Sequence, residues 1–211
     1  MKLNLPPAGT LTPNDEHDPL PYYYRPFIGW LYRKRLCMGL DLLPAAGGRM
    51  LEVGVGSGVL VPTLSAHFSR YTGTDLVLAD GLQRLVAPSC QAEFVQADLL
   101  QKSSLPEASY DAVICLSVLE HIADAEGAAA ALARTLVKGG TLVAGYPMVN
   151  SLMANLFRAI GFGNIEAHHV TAPAAIDKAL GRVLRRGPRK ALPALAPVSL
   201  ALYQCGAWIK D

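Results

Sequence analysis

Three glycines stand where a ligand-binding turn is expected. Gly54, Gly56 and Gly58 follow the apolar run 49–53 and precede a helical pattern at 59–68. Glycine lets the backbone approach a ligand closely, and the first N–H groups of a helix are unpaired donors. The third glycine comes one position too early for the G-x-G-x-x-G loop of dinucleotide-binding proteins, and no G-x-x-x-x-G-K-[ST] phosphate loop is present. The loop therefore predicts a nucleotide-like ligand without identifying it.

Acidic residues accompany this loop at the ends of three strand patterns. Glu52 precedes the first glycine, Asp75 ends the pattern 71–75, and Asp98 follows the pattern 93–97. Because ligands of open parallel sheets bind at the carboxyl ends of the strands, these carboxylates are candidates to accept hydrogen bonds from a ligand. Either aspartate alone could instead be a helix N-cap, and Glu52 could either hold the loop or face the ligand.

Five segments of the chain resemble the motifs of class I S-adenosylmethionine-dependent methyltransferases, in particular those of type 11. They lie in the right order within residues 49–146 and read E-V-G-V-G-S-G, Y-T-G-T-D, Q-A-D-L-L, Y-D-A-V-I-C-L-S-V-L-E-H-I and V-K-G-G-T-L-V. The resemblance implies S-adenosyl-L-methionine as the cofactor and S-adenosyl-L-homocysteine as its product. It also implies that Asp75 accepts hydrogen bonds from both ribose hydroxyls and that Asp98 meets the adenine amino group. The cofactor positions that it implies are Glu52, Gly54, Gly56, Ser57, Gly58, Asp75, Leu76, Ala97, Asp98, Leu99, Leu116, Ser117 and Val118.

Histidines are the candidate catalytic residues, because methyl transfer to a hydroxyl or an acidic carbon is helped by a general base that works near pH 7. His121 follows the fourth strand pattern, near where the acceptor would approach; the alternative is a structural Glu–His pair that caps the turn. His168 and His169 lie in a segment that crosses the substrate pocket in similar proteins; the alternative is a surface or packing role. The five histidines are scattered, without carboxylates or thiolates at metal-ligand spacing, so we expect no metal.

The N-terminal segment predicts a helical lid over the cofactor. Tyr24 and Arg25 could meet the methionine carboxylate or the acceptor, although the aromatic side chains here could simply pack the helix on the sheet. Trp30 and the cations 33–35 give the same helix a basic aromatic face, and residues 182–190 add a second basic cluster. Such faces suit a membrane surface or an anionic, lipid-like acceptor, but solvated faces beside a sheet are the favoured interpretation.

Strand and helix patterns alternate along the chain. They predict an α/β fold with a doubly wound, mostly parallel, seven-stranded, Rossmann-like sheet whose last strand is antiparallel. The strand patterns are 49–53, 71–75, 93–97, 111–116, 141–146, 182–186 and 198–209. The helical patterns are 21–43 (one helix, or two broken near Gly39), 59–68, 78–86, 125–137 with Asp124 as N-cap and Gly139 and Gly140 at its end, 151–160 and 173–180. We expect an N-terminal arm and lid helix at 1–44 and a methyltransferase domain at 45–211.

The composition fits one folded domain. The chain has 211 residues, 51% of them hydrophobic and 17% charged, and its net charge of +2 argues against a nucleic-acid partner. Its four scattered cysteines predict reduced thiols and a cytoplasmic protein, and residues 1–20 lack the apolar run of a signal peptide. Prolines interrupt the uncharged stretch 191–209, so a membrane span is not expected. We expect a monomer or a homodimer.

The predicted function is transfer of a methyl group from S-adenosylmethionine to an oxygen, nitrogen or carbon atom of a small molecule. The short segment between the fifth strand and the closing strands favours a small acceptor without identifying it. Two alternatives stay open. One is an NAD(P)-dependent oxidoreductase, whose glycine pattern is missing, and the other is a non-catalytic regulator that binds the same cofactor.

Overall fold

One mixed sheet organises the molecule. The structure, a computed structural model, describes residues 1–16, 18–45, 47–101, 104–148, 170–194 and 200–211. The strands are β1 Arg49–Val53, β2 Arg70–Asp75, β3 Gln91–Gln96, β4 Tyr110–Leu116, β5 Leu136–Pro147, β6 Arg185–Leu192 and β7 Tyr203–Ile209. They form a seven-stranded sheet in the order β3-β2-β1-β4-β5-β7-β6. The pairs among β1 to β5 are parallel, and β7 is antiparallel to β5 and to β6. The predicted doubly wound sheet with an antiparallel last strand is confirmed.

Helices cover both faces of this sheet. The α-helices of the described ranges are α1 Leu20–Tyr23, α2 Ile28–Leu40, α3 Val61–Ser65, α4 Ala125–Thr135 and α5 Pro173–Val183, and short 3-10 turns lie at Leu82–Leu85 and Leu119–His121. Among these described helices, none combines the length and the apolar character that crossing a lipid bilayer requires.

The alternating side chains of the strands build two apolar layers. In β4, Val113 and Cys115 pack in the layer of α4 and α5, whereas Ala112 and Ile114 pack in the layer of α2 and α3. All four are at most 1% exposed. The end of β4 is therefore held from both sides, which fixes the position of the residues that follow it.

Helix α4 begins as predicted and ends sooner. The Asp124 carboxylate accepts a 2.8 Å hydrogen bond from the Gly127 N–H, which confirms the N-cap. The helix ends before residue 137, because Leu136 already pairs with Tyr110 of β4. The prediction that Gly139 and Gly140 end the helix is therefore wrong. Both glycines lie within β5, beside the point where the register between β5 and β4 shifts.

The N-terminal helical region breaks at a strained turn. The break lies at residues 24–27, whereas the sequence predicted a possible break near Gly39. The Pro26 carbonyl accepts a 2.6 Å hydrogen bond from the Ile28 N–H, and Phe27 between them has φ 60° and ψ −61°. This is a γ-turn of the rare form with positive φ, which strains any residue that has a Cβ atom. The Phe27 side chain is 92% exposed, so the strain is not offset by burial.

Other predicted boundaries also differ from the structure. The predicted helix 78–86 is wrong, because only the 3-10 turn Leu82–Leu85 forms, entered through Gly81 at φ +81°. The last strand begins at Tyr203 and not at 198.

In the closing part of the chain, α5 continues to Val183, so β6 begins at Arg185 and not at 182. The predicted helix at 151–160 lies outside the described residues.

Candidate functional site

The carboxyl ends of β1, β2 and β4 open into a cavity of about 920 Å3. The strand order reverses between β1 and β4, where open α/β sheets bind their ligands. Parts of the N-terminal segment, from Asn14 to Leu36, line the cavity from outside the sheet. A smaller hollow of about 390 Å3 lies near Arg49 and Asp111, at the other ends of the strands, so we place the site in the larger cavity.

Most of the predicted cofactor residues line this cavity. They are Glu52, Gly54, Gly56, Ser57, Asp75, Leu76, Ala97, Asp98, Leu99, Leu116, Ser117 and Val118. Arg25 also lies on its wall. Tyr24 lies outside the lining, and its hydroxyl donates a 2.8 Å hydrogen bond to the Pro6 carbonyl.

The glycine loop reaches the cavity because its backbone takes conformations that other residues avoid. Gly54 has φ +82°, and a Cβ atom there would lie 2.2 Å from Cγ2 of Val118. The Gly56 N–H donates a 2.8 Å hydrogen bond to Oδ2 of Asp75, which ties the loop to the end of β2. Gly58 turns the chain toward α3 and lies outside the cavity lining.

Two aspartates stand beside the loop with acceptor positions to spare. Asp75 accepts one hydrogen bond from Gly56, another, of 2.8 Å, from the Leu76 N–H, and a third from the Val77 N–H. Burial raises the pKa of Asp75, and these backbone donors act in the opposite direction. Asp98 accepts a 2.9 Å hydrogen bond from the Leu100 N–H, as a turn-capping aspartate does. Because an ionised carboxylate has about four acceptor positions, both side chains can cap a turn and still bind a ligand.

Glu52 is a buried carboxyl on the wall of the cavity. Its side chain is 3% exposed, and Oε2 accepts a 2.5 Å hydrogen bond from the Tyr71 hydroxyl. Burial raises the pKa of Glu52 to about 8, and the Tyr71 hydroxyl limits the rise. At neutral pH this carboxyl is therefore mainly protonated, and it can donate as well as accept a hydrogen bond.

The N-terminal segment is fastened to the glycine loop through Asp18. Its Oδ1 accepts a 3.2 Å hydrogen bond from the Ser57 hydroxyl and a 2.8 Å hydrogen bond from the Leu20 N–H. Nearby, the Asn14 side-chain amide donates a 3.1 Å hydrogen bond to the carbonyl of Val77, just beyond β2. Asn14, Asp15, Glu16 and Asp18 thus line one side of the cavity.

A polar and aromatic cluster also lines the cavity. The Arg35 guanidinium carbon lies 4.0 Å from the ring centroid of Tyr32 and 5.1 Å from that of Tyr203. The Tyr203 hydroxyl lies 2.9 Å from the Ser117 hydroxyl oxygen, within hydrogen-bonding distance. Glu120 is 2% exposed, and burial raises its pKa to about 7. We call Tyr32, Arg35, Ser117, Glu120 and Tyr203 the distal cluster.

Comparisons with known proteins agree with this geometry. A family model described as "Methyltransferase domain" matches residues 51–144. A ubiquinone biosynthesis O-methyltransferase of Paracidovorax citrulli is 34% identical over 105 residues, which are 47% of this chain and 43% of that protein. The chain carries a class I S-adenosylmethionine-dependent methyltransferase domain. An S-adenosyl-L-methionine-dependent Diels-Alderase of Talaromyces variabilis is 33% identical over 109 residues, which are 49% of this chain and 37% of that protein. The chain thus spans less than half the length of either relative.

Solved structures share the fold of the methyltransferase domain. The N-methyltransferase NodS of Bradyrhizobium japonicum in complex with S-adenosyl-l-homocysteine superposes with a TM-score of 0.63 at 19% identity and covers 93% of both chains. Geranyl diphosphate C-methyltransferase of Streptomyces coelicolor A3(2) superposes with a TM-score of 0.66 at 14% identity, over 95% of this chain and 88% of that one. These neighbours act on different acceptor atoms, so the shared fold leaves the acceptor open.

Of the three candidate catalytic histidines, the structure describes one. His121 is exposed but lines the cavity. His168 and His169 lie outside the described residues. In the described parts of the chain, no group of three or more His, Cys, Asp or Glu side chains is arranged to hold a metal ion.

The second basic cluster, within residues 182–190, is balanced by carboxylates. Each cation has an acidic partner: Arg182 pairs with Glu126, Arg185 with Asp211, Arg186 and Arg189 with Asp177, and Lys190 with Asp41. The interpretation of these residues as a solvated, ion-paired face therefore fits the structure, and they add no support for an anionic acceptor.

Proposed function

We propose that this protein transfers a methyl group from S-adenosylmethionine to a small-molecule acceptor. The observation that carries the proposal is one cavity lined by two different groups of residues. One group is the glycine loop with Asp75 and Asp98, which we call the loop end, and the other is the distal cluster. Its volume of about 920 Å3 lies near the upper limit of roughly 300–1,000 Å3 for small-molecule sites, which leaves room for an acceptor beside a cofactor.

The residues at the loop end suit the groups of S-adenosylmethionine. Asp75 would accept hydrogen bonds from the ribose hydroxyls, and Asp98 would accept one from the adenine amino group. Leu76 and Leu99 would contact the adenine faces, and the backbone around Gly54 would approach the methionine portion. Leu76 is 63% exposed in this structure, which fits a side chain that a bound ring would cover.

The protein's own part in the reaction is to align the methyl donor with the acceptor and to exclude water. When bound, S-adenosylmethionine supplies a methyl group on a sulfonium sulfur that is already activated for displacement. The loop end would hold the donor, the distal cluster would hold the acceptor, and the segment of residues 14–16 and 18 would keep water out. Hydrogen bonds from Ser57 and Asn14 already hold that segment over the cavity.

Isothermal titration calorimetry tests the cofactor. We expect S-adenosylhomocysteine to bind and NAD not to bind. Asp75→Ala should weaken the binding by about 1–3 kcal/mol, because it leaves the ribose hydroxyls without their acceptor. Asp80→Ala, an exposed change outside the cavity lining, is the control and should bind as the unaltered protein does. Binding of NAD in place of S-adenosylhomocysteine would support the oxidoreductase alternative instead.

A second function deserves a test, because one relative is named as a Diels-Alderase that depends on S-adenosyl-L-methionine. The discriminating measurement uses S-adenosylmethionine labelled in its methyl group, with a mixture of extracted small molecules. We expect label to enter the small-molecule fraction, while S-adenosylhomocysteine accumulates in equal amount. Tight cofactor binding with no label transferred and no S-adenosylhomocysteine formed would point to a cofactor that assists another reaction, or to a regulator.

A further inference from the structure

The distal cluster contains a buried carboxyl group that the proposed alignment of donor and acceptor does not use. Glu120 is 2% exposed, and its Oε2 atom is buried without a hydrogen-bond partner among the described residues. An unpaired buried polar atom costs about 1–3 kcal/mol, so proteins retain few of them. Glu120 lies on the cavity wall, where a ligand can supply the missing partner.

The backbone holds this carboxyl group in place. Glu120 belongs to the turn that follows β4, and its carbonyl oxygen accepts hydrogen bonds of 2.9 Å from Val170 and 3.1 Å from Thr171. The Thr171 hydroxyl donates a further 2.6 Å hydrogen bond to the Ile122 carbonyl, which fastens the same turn. Hydrogen bonds thus fix the backbone of Glu120, while its Oε2 atom has no partner among the described residues. This arrangement is expected of a group that acts on a ligand.

Arg35 faces the same part of the cavity with a fixed positive charge. The rings of Tyr32 and Tyr203 lie 4.0 Å and 5.1 Å from its guanidinium carbon and hold it through cation–π contacts. Arg35 and Glu120 interact electrostatically, but no ion pair within 4.0 Å joins them in the described part of the chain. A positive charge and a carboxyl group with one unpaired oxygen therefore line the same cavity.

This pair selects the chemistry of the acceptor. A protonated amine would be attracted by ionised Glu120 but repelled by Arg35, and a carboxylate would be attracted by Arg35 but repelled by ionised Glu120, so neither ion gains from both charges. A neutral hydroxyl group satisfies both, because it can donate its proton to Glu120 and the resulting oxyanion is stabilised by Arg35. The rings of Tyr22, Tyr23, Tyr32 and Tyr203 on the same walls favour a planar ring as the carrier of that hydroxyl.

We propose that the acceptor is a phenol or an enol whose hydroxyl group binds between Arg35 and Glu120, with Glu120 as the general base. The proposal rests on the methyl-transfer function proposed above. Glu120 takes the hydroxyl proton, and an oxygen lone pair forms the new O–CH3 bond. The S–CH3 bond breaks, and its electron pair stays on the sulfur as S-adenosylhomocysteine. The proton then leaves Glu120 for water, so the net products are the methyl ether, S-adenosylhomocysteine and one proton.

The ionisation of Glu120 suits this role near neutral pH. Burial raises its pKa to about 7, and a hydrogen bond from the Glu120 backbone N–H and the charge of Arg35 on α2 limit the rise. Cys115 of β4 and Tyr203 of β7 are the other titratable groups coupled to it, and burial raises the pKa of both, so they stay neutral. Because only ionised Glu120 accepts a proton, kcat/KM should rise with pH up to about 7 and level off above it.

The test uses Glu120→Gln, which keeps the size of the side chain and removes the base. Phenol, 4-chlorophenol and 4-nitrophenol serve as acceptors of increasing acidity, benzylamine serves as an amine, and S-adenosylhomocysteine formation is followed. We expect the three phenols to be methylated in preference to benzylamine. The variant should lose about 100-fold or more in kcat/KM with phenol, and much less with 4-nitrophenol, which ionises without help. The variant's pH profile should lose the rise that ends near pH 7.

Controls separate this proposal from the function on which it rests. Calorimetry with S-adenosylhomocysteine should give the same affinity for Glu120→Gln as for the unaltered protein, which shows an intact fold and cofactor site. Glu107→Gln, on a 71% exposed side chain away from the cavity, should keep full activity. Three results would overturn the proposal. They are an equal loss of kcat/KM in Glu120→Gln with all three phenols, a preference of the unaltered protein for benzylamine, and no transfer to any phenol by a protein that binds S-adenosylhomocysteine. Failure to bind S-adenosylhomocysteine would instead overturn the proposed function.

Discussion

At the scale of residues, the cavity contains two buried glutamates in different settings. Burial raises the pKa of Glu52 to about 8 and that of Glu120 to about 7. Glu52 is paired with the Tyr71 hydroxyl, whereas Oε2 of Glu120 has no partner among the described residues. Glu52 is thus a carboxyl group held in its protonated form, and Glu120 is one that ionises near neutrality. Two environments give one residue type two roles.

The raised pKa of Glu52 predicts how stability depends on pH. The folded protein binds a proton that the unfolded chain releases above its ordinary pKa of 4.5, so stability is greatest below that value and falls up to about pH 8. At about 1.4 kcal/mol for each pKa unit, the loss is at most roughly 5 kcal/mol. Urea unfolding at pH 5 and pH 8 measures it. Glu52→Gln should reduce the loss, whereas Glu107→Gln should leave it unchanged. Equal losses in all three proteins would show that Glu52 ionises normally.

At the scale of elements, the γ-turn at Phe27 offers a sharp test of backbone strain. Phe27→Gly should raise the free energy of unfolding by about 1 kcal/mol, because glycine takes positive φ without strain and the phenyl ring is exposed. Phe27→Ala is the matched control, since it removes the ring and keeps the Cβ atom. It should give no such gain. If both variants were equally stable, the positive φ would not be a source of strain.

The contact between Asp18 and the glycine loop predicts a kinetic effect on cofactor release. Asp18→Ala removes the acceptor of the Ser57 hydroxyl and of the Leu20 N–H, so the N-terminal segment should separate from the glycine loop more often. Stopped-flow measurements should show that S-adenosylhomocysteine dissociates several-fold faster from this variant than from the unaltered protein, because a lost hydrogen bond costs about 1 kcal/mol. Asp80→Ala serves as the control. An unchanged dissociation rate would mean that this segment does not retain the cofactor.

The spacing of the site residues along the chain explains which part of the cavity could be predicted from the sequence. The loop end of the cavity was predicted because Gly54, Gly56, Asp75 and Asp98 lie in short contiguous motifs at strand ends. The distal cluster was not predicted, because its members come together only in the folded sheet. Ser117 and Tyr203, for example, are 86 positions apart. Glu120 was interpreted as the structural neighbour of His121, although Glu120 is the buried member of the pair.

At the scale of the whole molecule, β7 links the two apolar layers of the sheet. Trp208 on this strand is fully buried in the layer of α4 and α5. Trp208→Ala should lower the free energy of unfolding by about 3–5 kcal/mol, because it leaves a large cavity in that layer. Trp30→Ala, on a side chain that is 58% exposed, should change it by less than about 0.5 kcal/mol. Urea unfolding of both variants compares them, and similar losses would contradict the placement of β7 in the core.

The position of β7 also has a consequence for synthesis of the chain on the ribosome. β7 follows β6 in the sequence but lies between β5 and β6 in the sheet. While residues 203–209 are still in the exit tunnel, β5 has an uncovered edge, and β6 has no neighbour to pair with. A nascent chain therefore exposes an aggregation-prone strand edge until the final strand emerges. Slow translation just before these codons would prolong that vulnerable interval, and a chaperone that shields strand edges would act during it.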